Sequence, residues 1–314
     1  MAETGTDISI ARNLLQKGDL VAIPTETVYG LAGNALNVDS VARIFEVKNR
    51  PSFDPLIVHI HDYKELSKYV MNIPTQAERL AKEFWPGALT LLLRKRSVIP
   101  DLVTSGLDTV GIRCPNHPIT QNLLKTIDFP LAAPSANPFG FVSPTKASHV
   151  TEQLGSKIKY VLDGGPSAIG IESTIIGFEN NKTVVHRLGA VTVEQIEDVV
   201  GEVELANTSG AVKTPGQLKS HYSPSKKMFM ADLDKTVELV DLERAALLSF
   251  KKDYKAKHQV ILSPDGDTKE AAKNLFDALR RLDKMPVDLI LAEFVPDEGI
   301  GRAINDRLRR ASAK

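Results

Sequence analysis

Short apolar segments alternate with helical patterns along almost the whole chain, and this alternation constrains the fold more than any other feature. Residues 8–16 carry apolar side chains at helical spacing, and Gly18 follows as a stop signal. Residues 20–23 then form a short apolar run that ends at Pro24, as expected of a buried strand. Alternation of this kind predicts an α/β fold.

The later part of this pattern predicts a mixed sheet. We predict strands at residues 20–23, 56–60, 89–93, 109–113, 131–133, 160–162, 173–178 and 184–188. We predict helices at residues 8–16, 40–47, 63–70, 74–84, 117–127 and 145–154, with Asp39 capping the second of them. Several late strands follow one another without room for the crossover helix that parallel neighbours need. The sheet is therefore expected to be twisted and mixed.

The chain of 314 residues exceeds what one hydrophobic core usually spans, so two domains are expected. Glycine, proline and small polar residues recur over residues 201–226, which predicts a linker between residues 1–200 and 227–314. The last segment has predicted strands at 228–231, 245–249, 258–262 and 287–291, with helices at 268–282 and 299–311. This pattern predicts a small, doubly wound, Rossmann-like α/β domain.

Charge and cysteine content exclude several classes of protein. Lys plus Arg and Asp plus Glu both number 39, so no bulk charge draws the chain to nucleic acid or to a membrane. A single cysteine, Cys114, cannot form an internal disulfide or a Cys-rich zinc site. No apolar stretch approaches the length of a membrane span. Residues 1–7 are polar and lack the basic and apolar regions of a signal peptide, so none is expected. We expect a cytoplasmic protein that binds any anion through a local site.

The segment Lys48-Asn49-Arg50-Pro51 lies at a predicted corner between a helix and a strand. Two cations within three residues at such a corner can form a clamp for a phosphate group, with Pro51 stopping the helix. The alternative is that the two cations only complement the helix dipole and stay solvated.

Polar residues follow two of the predicted strands. Thr25, Glu26 and Thr27 come directly after the first strand, at the edge where open α/β sheets bind ligands; the alternative is an ordinary turn. Ser135 and Asn137 follow a later strand, and in an extended segment both would point the same way and could donate to phosphate oxygens. Ser143-Pro144-Thr145 is expected to cap the next helix, whose N-terminus favours an anion.

Several other candidates carry little weight alone. Arg113 and Arg187 lie at strand ends, where an arginine binds either a ligand or a surface carboxylate. His59 and His61 share a strand face, but no cysteine is near and no His-Glu-x-x-His spacing occurs, so we predict no protein metal site. Walker A and Gly-x-Gly-x-x-Gly sequences are also absent.

Five ordered segments and the linker together resemble the YrdC-type family, and in particular its long-form threonylcarbamoyl-AMP synthases. The resemblance covers nearly the whole chain. The five segments are Pro24 to Gly30, Lys48-x-Arg50-Pro51, Pro55 to His59, Pro134 to Asn137 and Glu172-Ser173-Thr174. The linker contributes Pro215-Gly216 and His221-Tyr222-Ser223-Pro224.

The resemblance implies an enzyme that makes threonylcarbamoyl-AMP and pyrophosphate from L-threonine, bicarbonate and ATP, a nucleotidyltransferase reaction. The product serves the threonylcarbamoyladenosine modification of tRNA, so a hand-off to the threonylcarbamoyl-transfer machinery is expected, and direct tRNA contact is a further hypothesis. Magnesium is expected on the nucleotide, bound mainly through phosphate oxygens.

The resemblance also assigns roles to residues. Lys48 and Arg50 would act in catalysis by neutralising charge on the α-phosphate and the departing pyrophosphate. Threonine would contact Thr27, His59, Arg113, Ala133 and Ser173. ATP would contact Arg50, Asp54, Thr109, Ser135, Asn137, Ser143, Arg187 and Tyr222, with Tyr222 closing over the nucleotide. Asp54 departs from the asparagine often found there, and a carboxylate would repel a triphosphate unless magnesium bridges them.

Two other functions remain alternatives. A carbamoyl-transfer protein of the hydrogenase-maturation type carries a related domain but also has Cys-rich zinc motifs, which one cysteine cannot supply. A non-catalytic RNA-binding factor would use the basic concave groove that the resemblance implies. The residues predicted to bind L-threonine would then have no purpose. Arg302, Arg307, Arg309 and Arg310 on the last helix could contact tRNA or a partner, or form a solvated face.

Overall fold

The computed structural model describes residues 1–180, 182–206, 214–216 and 221–313. The chain divides into two compact units. Unit 1 comprises Met1–Phe139, Pro144–Ser167 and Glu172–Gln217, and unit 2 comprises Gly140–Ser143, Ala168–Ile171 and Leu218–Lys314. The predicted linker falls partly outside the described residues, at 207–213 and 217–220, and the predicted boundaries at 200 and 226 stay predictions.

Unit 1 is built on one sheet, which has eleven strands among the described residues. They are β1 (Glu3–Gly5), β2 (Val21–Ile23), β3 (Gly30–Asn34), β4 (Ile57–His59), β5 (Leu89–Arg94), β6 (Thr109–Arg113), β7 (Leu131–Ala132), β8 (Tyr160–Leu162), β9 (Thr174–Glu179), β10 (Lys182–Arg187) and β11 (Glu204–Leu205). Their order is β1-β8-β2-β3-β7-β4-β6-β5-β9-β10-β11.

Helices cover this sheet. They are α1 (Ile8–Gln16), α2 (Val38–Lys48), a 3₁₀ turn (Tyr63–Glu65), α3 (Leu66–Tyr69), α4 (Thr75–Phe84), α5 (Asp101–Thr104), α6 (Pro118–Lys125), α7 (Ala147–Leu154) and α8 (Val193–Val200). One apolar cluster joins Val41 and Ile44 of α2 to Leu80 of α4 and to strand residues such as Val58. A second cluster joins Leu15 of α1 to Ile23 and Leu123.

The sheet of unit 1 is mixed, as the sequence predicts. β4 pairs parallel with β6, whereas β5 pairs antiparallel with β6 and parallel with β9. β9 and β10 pair antiparallel as consecutive strands, so no crossover helix is needed between them. Most residues of the central strands β5 and β6 are buried, which is why their apolar runs were recognisable.

Unit 2 contains a four-stranded parallel sheet within the described residues, in the order β12-β15-β13-β14. Its elements are β12 (Lys227–Met230), α9 (Leu233–Thr236), β13 (Ala245–Ser249), β14 (Gln259–Ile261), α10 (Thr268–Asp283), β15 (Leu289–Ala292) and α11 (Gly301–Ala311). Leu233 of α9 packs with Ala245, Leu247 and Leu291 in an apolar cluster. The predicted small doubly wound domain is confirmed.

Some local predictions were wrong, and each has a physical reason. β3 was missed because its sequence, Gly-Leu-Ala-Gly-Asn, has weak strand propensity. Its Gly33 is required by close packing, since a Cβ there would lie 2.6 Å from the Ser40 hydroxyl oxygen. The cap of α2 is Asn37 rather than Asp39, because the Asn37 side chain accepts hydrogen bonds from two backbone N–H groups.

None of the helices that the described residues form has the length and apolar character needed to cross a lipid bilayer.

Candidate active site

A row of polar residues crosses adjacent strands in the centre of the unit 1 sheet. His59 on β4 is in register with Arg113 on β6, and Arg113 is in register with Thr90 on β5. Thr90 is paired with Ile175 on β9, which is paired with Arg187 on β10. Residues in register on neighbouring strands lie on the same face of a sheet. Four polar side chains from distant parts of the sequence therefore lie on one face.

Arg113 is the centre of this row and is only 4% exposed. Its Nη1 donates to the Thr27 hydroxyl at 2.8 Å, and its Nη2 donates to Oε1 of Glu26 at 2.6 Å. Its Nε donates to the Gly87 carbonyl at 3.2 Å. A guanidinium has five N–H donors, so within the described residues one donor remains on each Nη. This pair of donors suits the two oxygens of a carboxylate.

The turn after β2 positions Glu26 and Thr27. The hydroxyl oxygens of Thr25 and Thr27 are 2.8 Å apart, and the Thr25 hydroxyl also donates to the Val28 carbonyl at 2.6 Å. Threonine hydroxyls commonly stabilise such turns by bonding to nearby backbone groups. The polar residues after the first strand therefore fold the turn and also reach Arg113.

Ser173 directly precedes β9 and links two members of the row. Its hydroxyl oxygen is 2.8 Å from that of Thr90, and it accepts a hydrogen bond from Nη2 of Arg187 at 3.1 Å. Nε and Nη2 of Arg187 also donate to the Ser173 carbonyl, at 3.1 and 2.8 Å. Nη1 of Arg187 donates to the carbonyl of Pro215 in the predicted linker, at 3.2 Å.

His59 is a neutral histidine. Burial, and then the nearby charge of Arg113, lowers the pKa of His59 to about 3. Ala133 is buried close by, and its N–H donates to the carbonyl of Ile57 on the same strand. Hydrogen bonds and strand pairing thus connect Arg113 with the other residues predicted to bind threonine, which are Thr27, His59, Ala133 and Ser173. Their contact with a ligand stays a prediction.

His61 pairs with a neighbouring carboxylate. Nδ1 of His61 lies 2.8 Å from Oε2 of Glu65. Across the part of the chain that the structure describes, no three His, Cys, Asp or Glu residues are grouped to hold a metal ion.

Lys48 stabilises a loop. It is 1% exposed, and its Nζ donates to the carbonyls of Ser135 and Asn137, each at 2.5 Å. Burial, and then the charge of Arg50, places the pKa of Lys48 well below its usual value. The extended conformation predicted for Ser135 to Asn137 is wrong, because the Asn137 N–H turns back to the Ser135 carbonyl at 3.0 Å. The Asn137 side-chain amide donates to the Pro138 carbonyl.

Arg50 and Asp54 form a buried ion pair, which accounts for the carboxylate at that position. Nη2 of Arg50 lies 3.0 Å from Oδ2 of Asp54, whose side chain is 0% exposed. Nε of Arg50 donates to the Asp54 carbonyl, and Nη2 donates to the Pro55 carbonyl. Desolvation raises the pKa of Asp54, although Arg50 and Lys48 act in the opposite direction. Asp54 thus pairs with Arg50, which is itself predicted to bind ATP. Contact between Asp54 and ATP stays a prediction.

Thr109 begins β6 on the same face as Arg113, four residues away. It lines a small recess together with Ile57, Gly111 and the linker residues Thr214 and Pro215. A Cβ at Gly111 would come within 3.1 Å of Cγ2 of Thr90, so glycine keeps this part of the face open. The described linker residues therefore cover part of the candidate site.

Two predicted ATP residues, Ser143 and Tyr222, belong to unit 2. Arg280 donates to the backbone carbonyls of Val142 and Ser143. The predicted capping role of Ser143 is wrong, because α7 begins at Ala147 after Lys146, without a side-chain cap.

The Tyr222 ring stacks on Phe276 with centroids 5.5 Å apart, and the Arg307 guanidinium lies 5.3 Å from its centroid. Arg307 is 0% exposed, so it does not belong to a solvated face of α11.

Two features of the site were missed in the sequence. Nothing in the sequence distinguishes Thr90 from the rest of its apolar strand. Its place in the site comes from its register with Arg113 and its hydrogen bond with Ser173. Glu26 was recognised as a polar residue after a strand, but its contact with Arg113 joins residues 87 positions apart.

Comparison with known proteins identifies the family. Residues 13–189 match the family model of the Sua5, YciO and YrdC proteins, which is described as "Telomere recombination". Residues 191–313 match the model described as "Threonylcarbamoyl-AMP synthase, C-terminal domain". The chain therefore belongs to the Sua5/YciO/YrdC family, and the second match places it in the long form that carries this C-terminal domain.

Relatives match over nearly the full length of the chain. A protein of Pyrococcus abyssi named threonylcarbamoyl-AMP synthase is 43% identical, over 97% of this chain and 94% of its own. One of Bacillus subtilis with the same name is 40% identical, over 97% of this chain and 92% of its own. The crystal structure of P. abyssi Sua5 complexed with L-threonine has a TM-score of 0.91 at 41% identity, covering 97% of this chain and 94% of that one.

Proposed function

We propose that this chain is a threonylcarbamoyl-AMP synthase, which forms threonylcarbamoyl-AMP and pyrophosphate from L-threonine, bicarbonate and ATP. The observation that carries the proposal is the match, over 97% of the chain, to a solved relative described as complexed with L-threonine. The buried row around Arg113 supplies the chemistry that such a substrate requires.

Threonine would bind through its carboxylate to the two remaining Nη donors of Arg113. A two-pronged guanidinium–carboxylate contact fixes orientation as well as charge. Ser173, held by Thr90 and Arg187, supports the same pocket from the next strands. His59 is neutral near neutral pH, so it adds no second positive charge beside Arg113.

The reaction would proceed through a carbamate. The ammonium of threonine first loses a proton to solvent, and the resulting neutral amine forms a C–N bond to bicarbonate, whose C–OH bond breaks so that water leaves. With carbon dioxide in place of bicarbonate, a proton is released instead. The carbamate oxygen then attacks the α-phosphorus of ATP. The bond from the α-phosphorus to the bridging oxygen breaks, and pyrophosphate leaves with that oxygen. Carbamates decompose in water, so a site covered by the linker favours the second step.

No side chain needs to become covalent in this scheme. Positioning of the two substrates and positive charge near the phosphates would supply the catalysis. Lys48 would contribute by holding the Ser135–Asn137 loop, since its ammonium is bound to two carbonyls there. The proposed nucleotide contacts of unit 1 are Arg50, Asp54, Thr109, Ser135, Asn137 and Arg187. The assignments of Ser143 and Tyr222 to ATP stay predictions.

Magnesium would enter as part of the nucleotide substrate, because Mg²⁺ in such sites is held mainly by phosphate oxygens and water. We also propose the class of nucleotidyltransferase, a cytoplasmic location and delivery of the product to the threonylcarbamoyl-transfer machinery for tRNA. The class and the delivery follow from the proposed reaction.

The proposal is tested by incubating the full chain with ATP, L-threonine and bicarbonate and measuring pyrophosphate. We expect release that requires both threonine and bicarbonate, and a product with the mass of threonylcarbamoyl-AMP. Release that continues without threonine or without bicarbonate would contradict the proposal.

A further inference from the structure

One carboxylate oxygen of Glu26, Oε2, is buried without a hydrogen-bond donor beside it in the part of the chain that the structure describes. Its side chain is 8% exposed, and Oε1 accepts a 2.6 Å hydrogen bond from Nη2 of Arg113. Oε2 is shielded from solvent and has no hydrogen-bond partner among the described residues. A buried carboxylate oxygen without a donor costs free energy, because it has lost its water without a replacement. Such an atom at a binding site indicates a donor that arrives with a ligand.

The position of Glu26 indicates which donor this is. An α-amino acid carries its ammonium group on the carbon next to its carboxylate. Glu26 and Arg113 form an ion pair, so a carboxylate and a guanidinium lie side by side in the same buried place. An amino acid whose carboxylate binds the free donors of Arg113 brings its ammonium close to the carboxylate of Glu26. The ligand carboxylate then faces the Arg113 guanidinium, and the ligand ammonium faces the Glu26 carboxylate.

We propose that Oε2 of Glu26 accepts a hydrogen bond from the α-amino group of L-threonine, which makes Glu26 a substrate-binding residue that selects α-amino acids. The proposal rests on the proposed function, because it takes threonine as the ligand of Arg113. It assigns the amine a fixed position beside Arg113, where its orientation toward the carbon of bicarbonate is determined before the reaction.

A purely structural role of Glu26 would have a different consequence. If Glu26 only held Arg113 in place, its loss would weaken every carboxylate ligand of Arg113 to the same extent. If Glu26 binds the amine, its loss should weaken only ligands that carry an amine. (R)-3-hydroxybutyrate has the carboxylate, hydroxyl and methyl groups of L-threonine but no amine, so it separates the two roles.

The test is isothermal titration of the full chain with L-threonine and with (R)-3-hydroxybutyrate, using competition for the weaker ligand. The variant is Glu26→Gln, which keeps the size and the contact with Arg113 but removes the negative charge. The matched control is Glu83→Gln, because Glu83 is exposed on α4. We expect Glu26→Gln to lower threonine affinity by about ten- to a hundredfold, because a hydrogen bond between charged groups is lost. Hydroxybutyrate affinity should fall by less than about twofold, because this ligand has no amine.

Equal losses for the two ligands, or unchanged threonine affinity in Glu26→Gln, would overturn the proposal. If the unmodified chain bound no threonine, the proposed function would fail together with this inference, and that outcome is distinct from the first two. Should Glu26→Gln fail to fold, Glu26→Asp keeps the charge and shortens the side chain by one methylene. It should weaken threonine more than hydroxybutyrate, and equal weakening would count against the proposal.

Discussion

The hydroxyl groups of Thr90, on β5, and Ser173, directly before β9, are joined by a 2.8 Å hydrogen bond. Both side chains are buried, and Thr90 is also in register with Arg113. Thr90 therefore holds Ser173 in line with the guanidinium that is proposed to bind the substrate carboxylate.

Replacing Thr90 with Val should raise the KM for threonine by about tenfold and change kcat by less than about threefold, because one buried hydrogen bond that orients Ser173 is lost. Steady-state kinetics with threonine as the varied substrate measure both values. Thr90→Ser keeps the hydroxyl and should restore the KM. Equal effects of Val and Ser would show that the methyl packing, rather than the hydrogen bond, is what matters.

Arg113→Lys should lower threonine affinity by about a hundredfold or more, since an ammonium cannot bind Glu26, Thr27 and a carboxylate in the same planar arrangement. Isothermal titration checks this loss. Arg43→Lys is the control, because Arg43 is half-exposed and its pair with Asp19 lies apart from the row. Retention of affinity within twofold in Arg113→Lys would contradict the proposed role of the guanidinium.

Lys48→Met should lower the free energy of unfolding by about 2 kcal/mol, because two buried carbonyls lose their donor while a buried charge is removed. Turnover should fall by more than about tenfold, since the loop of Ser135 and Asn137 loses its support. Urea denaturation and pyrophosphate release measure the two effects. Lys68→Met, at an exposed ion pair, should change neither. Wild-type turnover in Lys48→Met would refute the role of the loop.

Asp54→Ala should lower the free energy of unfolding by about 3–5 kcal/mol, because it leaves the buried Arg50 guanidinium without its carboxylate. Asp54→Asn keeps an oxygen that can accept from Arg50 and should cost clearly less. Chemical denaturation compares the two variants, with Asp101→Ala as an exposed control that should change stability by less than about 0.5 kcal/mol. Equal costs for Ala and Asn would indicate that the charge itself makes the contribution.

His59 should make the protein less stable in acid. The pKa of His59 is about 3 in the folded chain, below its ordinary value of 6.5, so the unfolded chain binds the proton first as pH falls. Its contribution is therefore present above about pH 6.5 and decreases by up to about 1.4 kcal/mol for each pH unit between there and about pH 3. His59→Gln should lack this component when unfolding is measured across that range. If the dependence of the free energy of unfolding on pH were the same in His59→Gln as in the unmodified chain, the pKa of His59 would not be lowered by folding.

The central strands could be predicted from the sequence because their apolar runs are buried in the middle of the sheet. β6, for instance, has the predicted bounds of residues 109–113. β1 was missed because it is a short, largely exposed edge strand whose pairing with β8 provides its order. α8 was missed although Thr192 and Gln195 form a capping box at its start.

The partners of the site residues could not be predicted in the same way. Lys48 and Ser135 are 87 residues apart, and Thr90 and Ser173 are 83 apart. A periodic pattern indicates which face of a strand a residue occupies, but it does not give the order of strands in the sheet. The two carbonyls that Lys48 binds therefore could not be predicted from the Lys48-Asn49-Arg50-Pro51 pattern.

Asn49, between the two cations, ends α2 in the left-handed conformation with a φ of 51°, before Pro51 is reached. Its N–H and that of Arg50 donate to carbonyls of the last helical turn, so the helix ends between Lys48 and Arg50. Asparagine and glycine tolerate this backbone, whereas valine or isoleucine would be strained there. The relative placement of the two buried cations therefore depends on a residue that carries no charge itself, because Asn49 supplies the left-handed backbone between them.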